Sequence, residues 1–332
     1  MNSLYWIIFP AILTWGLTYL VRKIAIRKSI MDIPNKRSSH DIPTPRGGGL
    51  AIVVTWFAGV LVFYLLDYIG QDLFFALLSG LILIVISFLD DILTLPYSIR
   101  LFFQVLGISL GVYFLGGMET LDLGFIQISQ PVILSVLTVI GLIWFVNLYN
   151  FLDGIDGYAA TEAIYISVAL YVFTGSNLAI LLAASTAGFL IWNWQRAKIF
   201  MGDVGSILLG YTLGILALYY HTTGEWSILL FVILSALFWF DATLTLLRRA
   251  KNKEKLTQAH KKHAYQRIVQ GGFSHQKTVL FSILLNLVLF GLAWIAWQKE
   301  HIIWVMLLIV VGFLYIVIRR IDRVRPFPGK QE

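Results

Sequence analysis

Asn147-Leu-Tyr-Asn150-Phe-Leu-Asp153-Gly-Ile-Asp156-Gly157 joins two long apolar runs, and its polar side chains recur at every third position. On a helix, the first three polar residues would share one side about a third of a turn wide. The glycines that follow allow the backbone to leave helical geometry. Two acids at the edge of a membrane cost free energy unless they bind something. The stretch therefore predicts a polar site at a helix end, and the alternative is a capped helix that ends in an Asp-Gly turn.

The composition is typical of a membrane protein. Of the 332 residues, 58% are hydrophobic and 13% are charged, and the mean hydropathy is +0.80. A soluble domain of this length has no use for so much apolar surface. We therefore predict an all-α, polytopic integral membrane helix bundle that forms a single domain over residues 1–332. The absence of cysteine excludes disulfides, thiolate metal sites and cysteine nucleophiles.

The chain carries a formal net charge of +7. In a membrane protein this charge indicates cytoplasmic loops and contact with anionic lipid or phosphate, so we expect membrane lipid and no nucleic acid among the partners. The apolar N-terminal stretch is followed by Arg22 and Lys23. Because a cleaved signal peptide carries its charge before the apolar run, we expect a first spanning helix here.

About eleven apolar stretches approach the roughly 20 residues that a membrane-spanning helix requires. The predicted spans lie near residues 4–21, 48–66, 72–89, 98–116, 130–148, 158–174, 177–192, 204–220, 226–247, 278–298 and 301–318. The loop 117–130 is expected to be a solvated connection. Alternate connections and the C-terminal tail hold 24 of the 25 Lys and Arg residues, and Lys299 falls on the other side. The positive-inside rule then places the polar motifs on the cytosolic side of the membrane.

The first cytosolic connection, Asp32 to Gly49, is rich in proline, glycine and basic residues. Its prolines and glycines forbid a regular helix and leave backbone N–H groups free. Together with Lys36, Arg37 and Arg46, these groups suit a phosphate. The alternative is a basic loop that touches lipid headgroups.

Acids mark two further ends of predicted spans. Asp90 and Asp91 end the third span, where the helix dipole disfavours negative charge, so they predict a divalent metal site or a base beside one. The alternative is a solvated helix end. Asp203 lies between two glycines in Phe200-Met-Gly-Asp-Val-Gly-Ser206. It is a candidate magnesium ligand, and the alternative is an N-cap.

A long cytosolic connection, residues 248–277, is the predicted substrate arm. It contains the stretch His260-Lys-Lys-His263-Ala-Tyr-Gln-Arg267. Two histidines three residues apart, with no carboxylate at helical spacing, are weak evidence for zinc. A polar arm that faces the ligand is favoured, and a solvated basic loop is the alternative. Asp241, inside the ninth span, is expected to be the buried partner of a cation.

In this order and on one membrane side, these motifs resemble those of the polyprenyl-phosphate N-acetylhexosamine-1-phosphate transferases. That family includes the enzymes that start O-antigen, enterobacterial common antigen and teichoic acid linkage, and also the phospho-muramoyl-pentapeptide translocase. The resemblance covers nearly the whole chain. It implies a bundle of about ten or eleven helices, a cytosolic active site and Mg²⁺, with Mn²⁺ as the alternative ion.

The resemblance also implies roles for individual residues. The acidic pair matches residues linked to the lipid phosphate and the metal, and Asp156 matches a position that contacts uracil. The candidate catalytic residues are Asp90, Asp91, Asp153 and His263. The candidate substrate-binding residues are Lys36, Arg37, Arg46, Asn147, Asn150, Asp156, Asn193, His260 and Arg267. The candidate metal ligands are Asp203, Asp90 and Asp91.

One element departs from the family pattern. His263 matches the first histidine of the family's His-x-His-His element, but Ala264, Tyr265 and Gln266 follow it. His-Ala-Tyr-Gln is similar to the O-antigen-initiating branch that handles 6-deoxy N-acetylamino sugars such as N-acetylfucosamine and N-acetylquinovosamine. The departure argues against N-acetylglucosamine as the sole sugar and against the peptidoglycan translocase.

The predicted activity is transfer of an N-acetylamino-sugar-1-phosphate from a UDP-sugar to undecaprenyl phosphate, with release of UMP. A cation-coupled membrane transporter is the alternative, but its acids would lie at mid-membrane on broken helices. An alcohol phosphotransferase that builds phospholipids is a second rival, but its Asp-Gly and Ala-Arg signature is absent. The sequence leaves open the exact sugar, the polymer and the oligomeric state, a homodimer included.

Overall fold

The computed structural model describes residues 3–34, 40–256 and 260–329. Within these ranges the regular structure is almost entirely helical. The helices are α1 (Ser3–Arg27), α2 (Gly49–Leu65), α3 (Gln71–Leu78), α4 (Gly80–Leu93), α5 (Tyr97–Phe114), α6 (Pro131–Phe151), α7 (Tyr158–Thr174), α8 (Asn177–Asn193), α9 (Asp203–Thr222), α10 (Ile228–Leu234), α11 (Ala236–Lys251), α12 (Ala264–Gln270), α13 (His275–Gln298) and α14 (Ile303–Val324). One turn of 3₁₀ helix, Glu300–Ile302, precedes α14.

The two small sheets are antiparallel hairpins of two-residue strands. In the first hairpin, β1 (Met31–Asp32) pairs with β2 (Thr44–Pro45), and in the second, β3 (Leu121–Asp122) pairs with β4 (Gln127–Ile128). The first hairpin closes the loop before α2, and the second closes the loop before α6. The predicted all-α class is therefore confirmed.

Each predicted span overlaps one helix or one helix pair. In the described part of the chain, seven helices are long and apolar enough to cross a membrane. The pair α10 and α11, bent by 72°, makes eight if it is counted as one broken span. The remaining three apolar helices, α2, α7 and α8, have 17 residues each. The chain is thus a multi-pass membrane protein, while the count of eleven spans stays a prediction.

The helix α9 lies at the centre of the bundle. It packs against α2, α4, α6 and α7, and most of its residues are buried. At its first turn it approaches α2 so closely that a Cβ on Gly49 would lie 2.4 Å from the Cα of Gly205. Small residues allow such contacts, and helix association in lipid relies on close packing and interhelical hydrogen bonds. The Tyr211 hydroxyl supplies one such bond, since it donates to the carbonyl of Ala76 at 2.6 Å.

Glycines form the sharp turns before α7 and α9. The residue before α7 is Gly157, with φ of 75°, and the residue before α9 is Gly202, with φ of 78°. An L side chain rarely adopts this left-handed backbone, so glycine suits both turns. The Asp-Gly turn of the alternative interpretation is thus present between α6 and α7, and it directs α7 back into the bundle.

The loop 117–130 differs from the solvated connection that the sequence predicts. Its hairpin turns apolar side chains, including Leu121, Leu123 and Ile128, onto the core. A side chain of α9, His221, also contacts it, with Nε2 3.0 Å from the carbonyl oxygen of Thr120. The alternation of apolar residues in this loop gives it a packed inner face, which a count of polar residues does not reveal.

The prediction for Asp241 is also corrected. Both of its carboxylate oxygens accept the backbone N–H of Ala264 at 2.9 Å, so it binds the first residue of α12. The arginines that follow it have other partners: Arg248 pairs with Asp322, and Arg249 pairs with Glu254. A buried carboxylate requires hydrogen-bond donors, and here a helix N-terminus supplies the donor where a cation was expected.

Candidate active site

A cavity of about 420 Å³ lies at one end of the bundle, where α4, α6 and α8 end and where α2, α7 and α9 begin. Helix ends place polar side chains on stable backbone next to open solvent. The cavity is lined by seven of the predicted site residues: Arg46, Asp91, Asn150, Asp153, Asp156, Asn193 and Asp203. Residues more than 150 positions apart in the chain therefore share one site.

Three carboxylates come from three different helix ends. Asp91 lies in the last turn of α4, Asp153 in the turn after α6, and Asp203 in the first turn of α9. Burial, followed by the negative charges of Asp203 and Asp156, raises the pKa of Asp153 to about 7. Close acids of this kind favour a bound proton or cation, which relieves their repulsion.

The alternative in which Asp203 is an N-cap does not fit the structure. Gly202 occupies the N-cap position, and Asp203 is the first helical residue. The Asp203 side chain instead lines the cavity, next to Asn150. The Oδ1 of Asn150 accepts the Ser206 hydroxyl at 2.6 Å. The Asp203 carboxylate is therefore available to a ligand in the cavity.

The cavity residues fit a magnesium ion that is completed by substrate. No group of three or more His, Asp or Glu side chains in the described ranges forms a ready-made metal site. Mg²⁺, however, usually takes one or two protein carboxylates and fills its other positions with phosphate oxygens and water. Asp91 and Asp203 line the same cavity, and the buried acids need a counter-charge. The donor set is therefore of the right chemistry for an ion that arrives with a diphosphate.

The basic wall of the cavity comes from the first loop. A guanidinium nitrogen of Arg46 lies 3.4 Å from an oxygen of Asp91, and 42% of the Arg46 side chain is exposed. A charge in this position can move from the acid to an incoming phosphate. Lys36 and Arg37, the other basic residues predicted in this loop, lie outside the described residues.

Asp156 and Asn193 organise the floor of the cavity. The backbone N–H of Ala197 donates to Oδ2 of Asp156 at 3.1 Å. Asn193 accepts from the N–H of Gly157 at 2.9 Å and donates to the carbonyl of Ile199 at 3.0 Å. The Asn193 amide thus joins the turn before α7 to the loop before α9. Asn193 therefore maintains the shape of the site and also lines the cavity.

Among the predicted site residues at the ends of the spans, Asp90 and Asn147 do not line the cavity. Asp90 is bound to Arg100 at 2.7 Å and to the N–H of Leu95 at 2.7 Å. Asn147, one turn below Asn150, donates to Gln104 of α5 at 2.9 Å. The spacing of three places Asn147 and Asn150 on the same broad face of α6, but only the last turn of this helix reaches the cavity.

The substrate arm is placed differently from its prediction. His260, His263 and Arg267 do not line the cavity. Arg267 is 1% exposed and donates to Asp322 and to the carbonyl of Arg325, both at 2.7 Å. Its buried guanidinium holds the C-terminal end of the chain, so the geometry does not support its assignment to substrate.

The two histidines of the arm are shielded from solvent and lie near charged side chains. Burial, followed by the charges of Arg249 and Arg267, lowers the pKa of His263 to about 3. Burial, followed by the neighbouring His263, also lowers the pKa of His260 to about 3. Both rings are therefore neutral near pH 7, and neither is placed for the catalytic or substrate-binding role predicted for it.

One of the residues that depart from the family pattern, Gln266, does line the site. Gln266 lines the cavity, and Tyr265 packs below it, stacked on Tyr158 with ring centroids 4.7 Å apart. The Tyr265 hydroxyl donates to the carbonyl of Phe151 at 3.3 Å. Of the two unusual residues, Gln266 is therefore the one that can touch a ligand.

Three ionisable lining residues are missing from the predicted set: Asp32, His40 and His275. His40 packs edge-on against Phe200, with ring centroids 4.8 Å apart. His275 is the first residue of α13 and lies against Asp156. Ser274, which caps α13, was the available signal for His275, because a cap places the next residue at an exposed helix start.

Comparisons with known proteins agree with the geometry. Residues 73–221 match the family model described as glycosyl transferase family 4. The chain is 32% identical over 317 residues to a probable undecaprenyl-phosphate N-acetylglucosaminyl 1-phosphate transferase of Bacillus subtilis, an alignment that covers 92% of this chain and 87% of the relative.

Two other relatives are more distant. An undecaprenyl-phosphate α-N-acetylglucosaminyl 1-phosphate transferase of Thermotoga maritima is 28% identical, with 94% of this chain and 97% of the relative covered. A phospho-N-acetylmuramoyl-pentapeptide-transferase of Streptococcus pneumoniae is 29% identical, with 68% and 73% covered. The likeness to the first relative extends over nearly the full length of both chains, and the motif residues converge on one cavity. The chain therefore belongs to the polyprenyl-phosphate N-acetylhexosamine-1-phosphate transferase family.

Proposed function

We propose that this protein transfers an N-acetylamino-sugar-1-phosphate from a UDP-sugar to undecaprenyl phosphate and releases UMP. The observation that carries the proposal is the meeting of Asp91, Asp153 and Asp203 with Arg46 in one cavity at a helix-end face of a membrane bundle. Several relatives are named for transfer of N-acetylglucosamine 1-phosphate to a polyprenyl phosphate. The product would start O-antigen or another cell-surface polysaccharide.

The reaction joins two anions. A phosphate oxygen of the lipid attacks the sugar-side phosphorus of the diphosphate, a new P–O bond forms, and the anhydride bond to UMP breaks. A phosphate monoester with a second pKa near 6 is mostly dianionic at pH 7, so proton removal is not required for attack. Catalysis then consists mainly of holding the two phosphates in line and reducing their repulsion.

The residues of the cavity divide this work. Asp203 and Asp91 would hold Mg²⁺, which when bound neutralises charge on the diphosphate oxygens. Asn150 lies next to Asp203, and Arg46 provides a second positive charge that contacts phosphate. Asp153 adds a third carboxylate to the acidic wall, close to Asp203 and Asp156.

The proposal for the sugar rests on one residue, Gln266. The relatives are named for N-acetylglucosamine, while Gln266 stands where the family pattern has histidine. A neutral amide lowers positive charge beside the sugar, and a site discriminates best through a hydroxyl that it does or does not hydrogen-bond. We infer that the cavity accepts sugars of the N-acetylglucosamine, N-acetylfucosamine or N-acetylquinovosamine type, with preference for the 6-deoxy forms.

The cavity is proposed to open to the cytosol, where UDP-sugars are made. The distribution of 24 of 25 basic residues on one side supports this orientation. The natural absence of cysteine makes the test direct. In intact cells, K255C should resist a membrane-impermeant thiol reagent and S129C should react. Labelling of K255C alone would reverse the topology.

The activity itself is tested with the purified chain in detergent or nanodiscs. With undecaprenyl phosphate, a panel of UDP-N-acetylamino sugars and Mg²⁺, the enzyme should release UMP, and EDTA should stop the release. Absence of UMP with every sugar of the panel would reject the proposal. Uptake of an anion by proteoliposomes, coupled to a cation gradient, would support the transporter instead.

A further inference from the structure

The first residue of α13 reaches back to the motif that organises the chain. The Nδ1 of His275 lies 3.3 Å from Oδ2 of Asp156 and 3.3 Å from its backbone nitrogen. The two side chains are 12% and 9% exposed, and both line the cavity. In one protonation state Nδ1 accepts the Asp156 N–H, and in the other it donates to the carboxylate, so either state restrains Asp156.

Rigid contacts determine the position of His275. The hydroxyl of Ser274 accepts the N–H of Lys277 at 3.2 Å and caps α13. The side-chain carbonyl of Gln195 accepts the N–H of Gln276. Deeper in the bundle, Asn286 of α13 donates to Glu162 of α7 at 2.6 Å. Since α7 begins directly after the turn that carries Asp156, the elements that carry the two partners are fastened to each other independently of their own contact.

In this arrangement the two oxygens of the Asp156 carboxylate have different surroundings. Its Oδ2 accepts from Ala197 and lies next to His275, while Oδ1 receives no hydrogen bond from any residue that the structure describes. An acceptor held at a cavity wall selects a ligand that presents an N–H. Uracil has an imide N–H at N3, whereas cytosine has an unprotonated N3 and cannot offer this donor.

We propose that His275 is a positioning residue that holds Asp156 so that Oδ1 faces the nucleobase of the UDP-sugar and of the product UMP. The proposal rests on the proposed function, and it adds a residue of α13 to a nucleotide site whose other parts come from α6, α8 and α9. Specificity for uracil then depends on a contact between residues 119 positions apart.

The test measures nucleotide binding to the purified full-length chain by isothermal titration calorimetry, with UMP and CMP as probes. H275A should weaken UMP binding about tenfold, the effect of one hydrogen bond to a charged group, and should change CMP binding by less than about twofold. The H275N variant should restore UMP affinity to within about threefold, because the Asn amide ends close to the position of Nδ1. The H275Q variant, whose amide ends closer to the position of Nε2, should not restore it.

A double substitution tests the coupling. If His275 acts through Asp156, UMP should bind to D156N/H275A no more weakly than to D156N alone, because removal of the carboxylate leaves nothing to position. In turnover assays, H275A should raise the KM for UDP-sugar and leave the KM for undecaprenyl phosphate unchanged.

Several results would overturn the inference. Wild-type affinity for UMP in H275A would reject it while leaving the proposed function intact, and additive losses in the double variant would do the same. Restoration by H275Q but not by H275N would mean that Nε2 contacts the ligand directly. Equal losses for UMP and CMP, with a lower melting temperature in all variants, would mean that His275 only packs α13. Failure of the wild type to bind UMP would reject both proposals.

Discussion

The turn between α6 and α7 and the arm around α12 both carry polar motifs. The motif of the turn lines the cavity, whereas the motif of the arm packs inside the protein. At the turn, Asn150, Asp153 and Asp156 face the cavity. In the arm, His263 and Arg267 point into protein, and Arg267 holds Asp322 and the C-terminal end of the chain. A motif on a helix end next to glycine has few structural partners, whereas a charged loop can use its charges for its own folding. The same residue types thus line the candidate active site in one region and pack inside the protein in the other.

The first way to sharpen this comparison is to remove the charge of Asp203 from the cavity. The D203N variant keeps the side-chain volume but loses the charge that would bind the ion. We expect the turnover number to fall about a hundredfold or more, because a bound metal ion contributes several kcal/mol to transition-state stabilisation. The melting temperature in detergent should change little. Near-normal turnover at limiting Mg²⁺ would remove Asp203 from the set of ligands.

The second way is to compare two arginines, Arg46 at the wall of the cavity and Arg267 in the arm. The R267A variant leaves Asp322 with a single partner and empties a buried site, and breaking a buried ion pair costs about 3–5 kcal/mol. We therefore expect a clearly lower melting temperature, with a nearly unchanged KM for UDP-sugar at low temperature. The R46A variant should do the reverse, because its exposed pair with Asp91 contributes at most about 1 kcal/mol to stability while its charge faces the substrate.

This pair of variants also shows how the comparison fails. If R267A keeps its melting temperature and loses substrate affinity, the arm binds ligand in spite of its geometry. The conservative R267K variant is a matched control. Lysine keeps the charge but cannot bind both Asp322 and the carbonyl of Arg325 as the guanidinium does, so it should recover only part of the lost stability.

The smallest effect is expected from Gln266, the residue of α12 that lines the cavity. The Q266H variant should change the ratio of kcat/KM for UDP-N-acetylglucosamine over its 6-deoxy counterparts by about three- to tenfold, since one group in a pocket provides modest discrimination. The Y265H variant is the control, because Tyr265 packs on Tyr158 and should affect stability more than the sugar ratio. Equal loss on all sugars with Q266H would assign the residue to catalysis or diphosphate binding.

The sequence predicts the fold class and the main acids of the site because both depend on local pattern. Apolar length defines the helices, and Asp91, Asp153 and Asp203 stand at the ends of those helices. The roles of Asp241, Arg267 and His275 could not be predicted, because each depends on a partner more than 20 positions away in sequence. For the same reason the sequence does not distinguish Asp90, which pairs with Arg100, from Asp91, which lines the cavity beside Arg46. Burial of the hairpin at 117–130 likewise depends on tertiary contacts with α9.

Three apolar helices of 17 residues have a consequence for the depth of the reaction. These helices, α2, α7 and α8, span about 25 Å each, roughly 5 Å less than the hydrocarbon thickness of an ordinary bilayer. Each has one end at the cavity. If their far ends were level with those of their longer neighbours, their cavity ends would lie about one helical turn below the headgroup plane. The polyprenyl phosphate would then meet the nucleotide in a local depression of the membrane surface, and the water-soluble substrate would descend to the lipid.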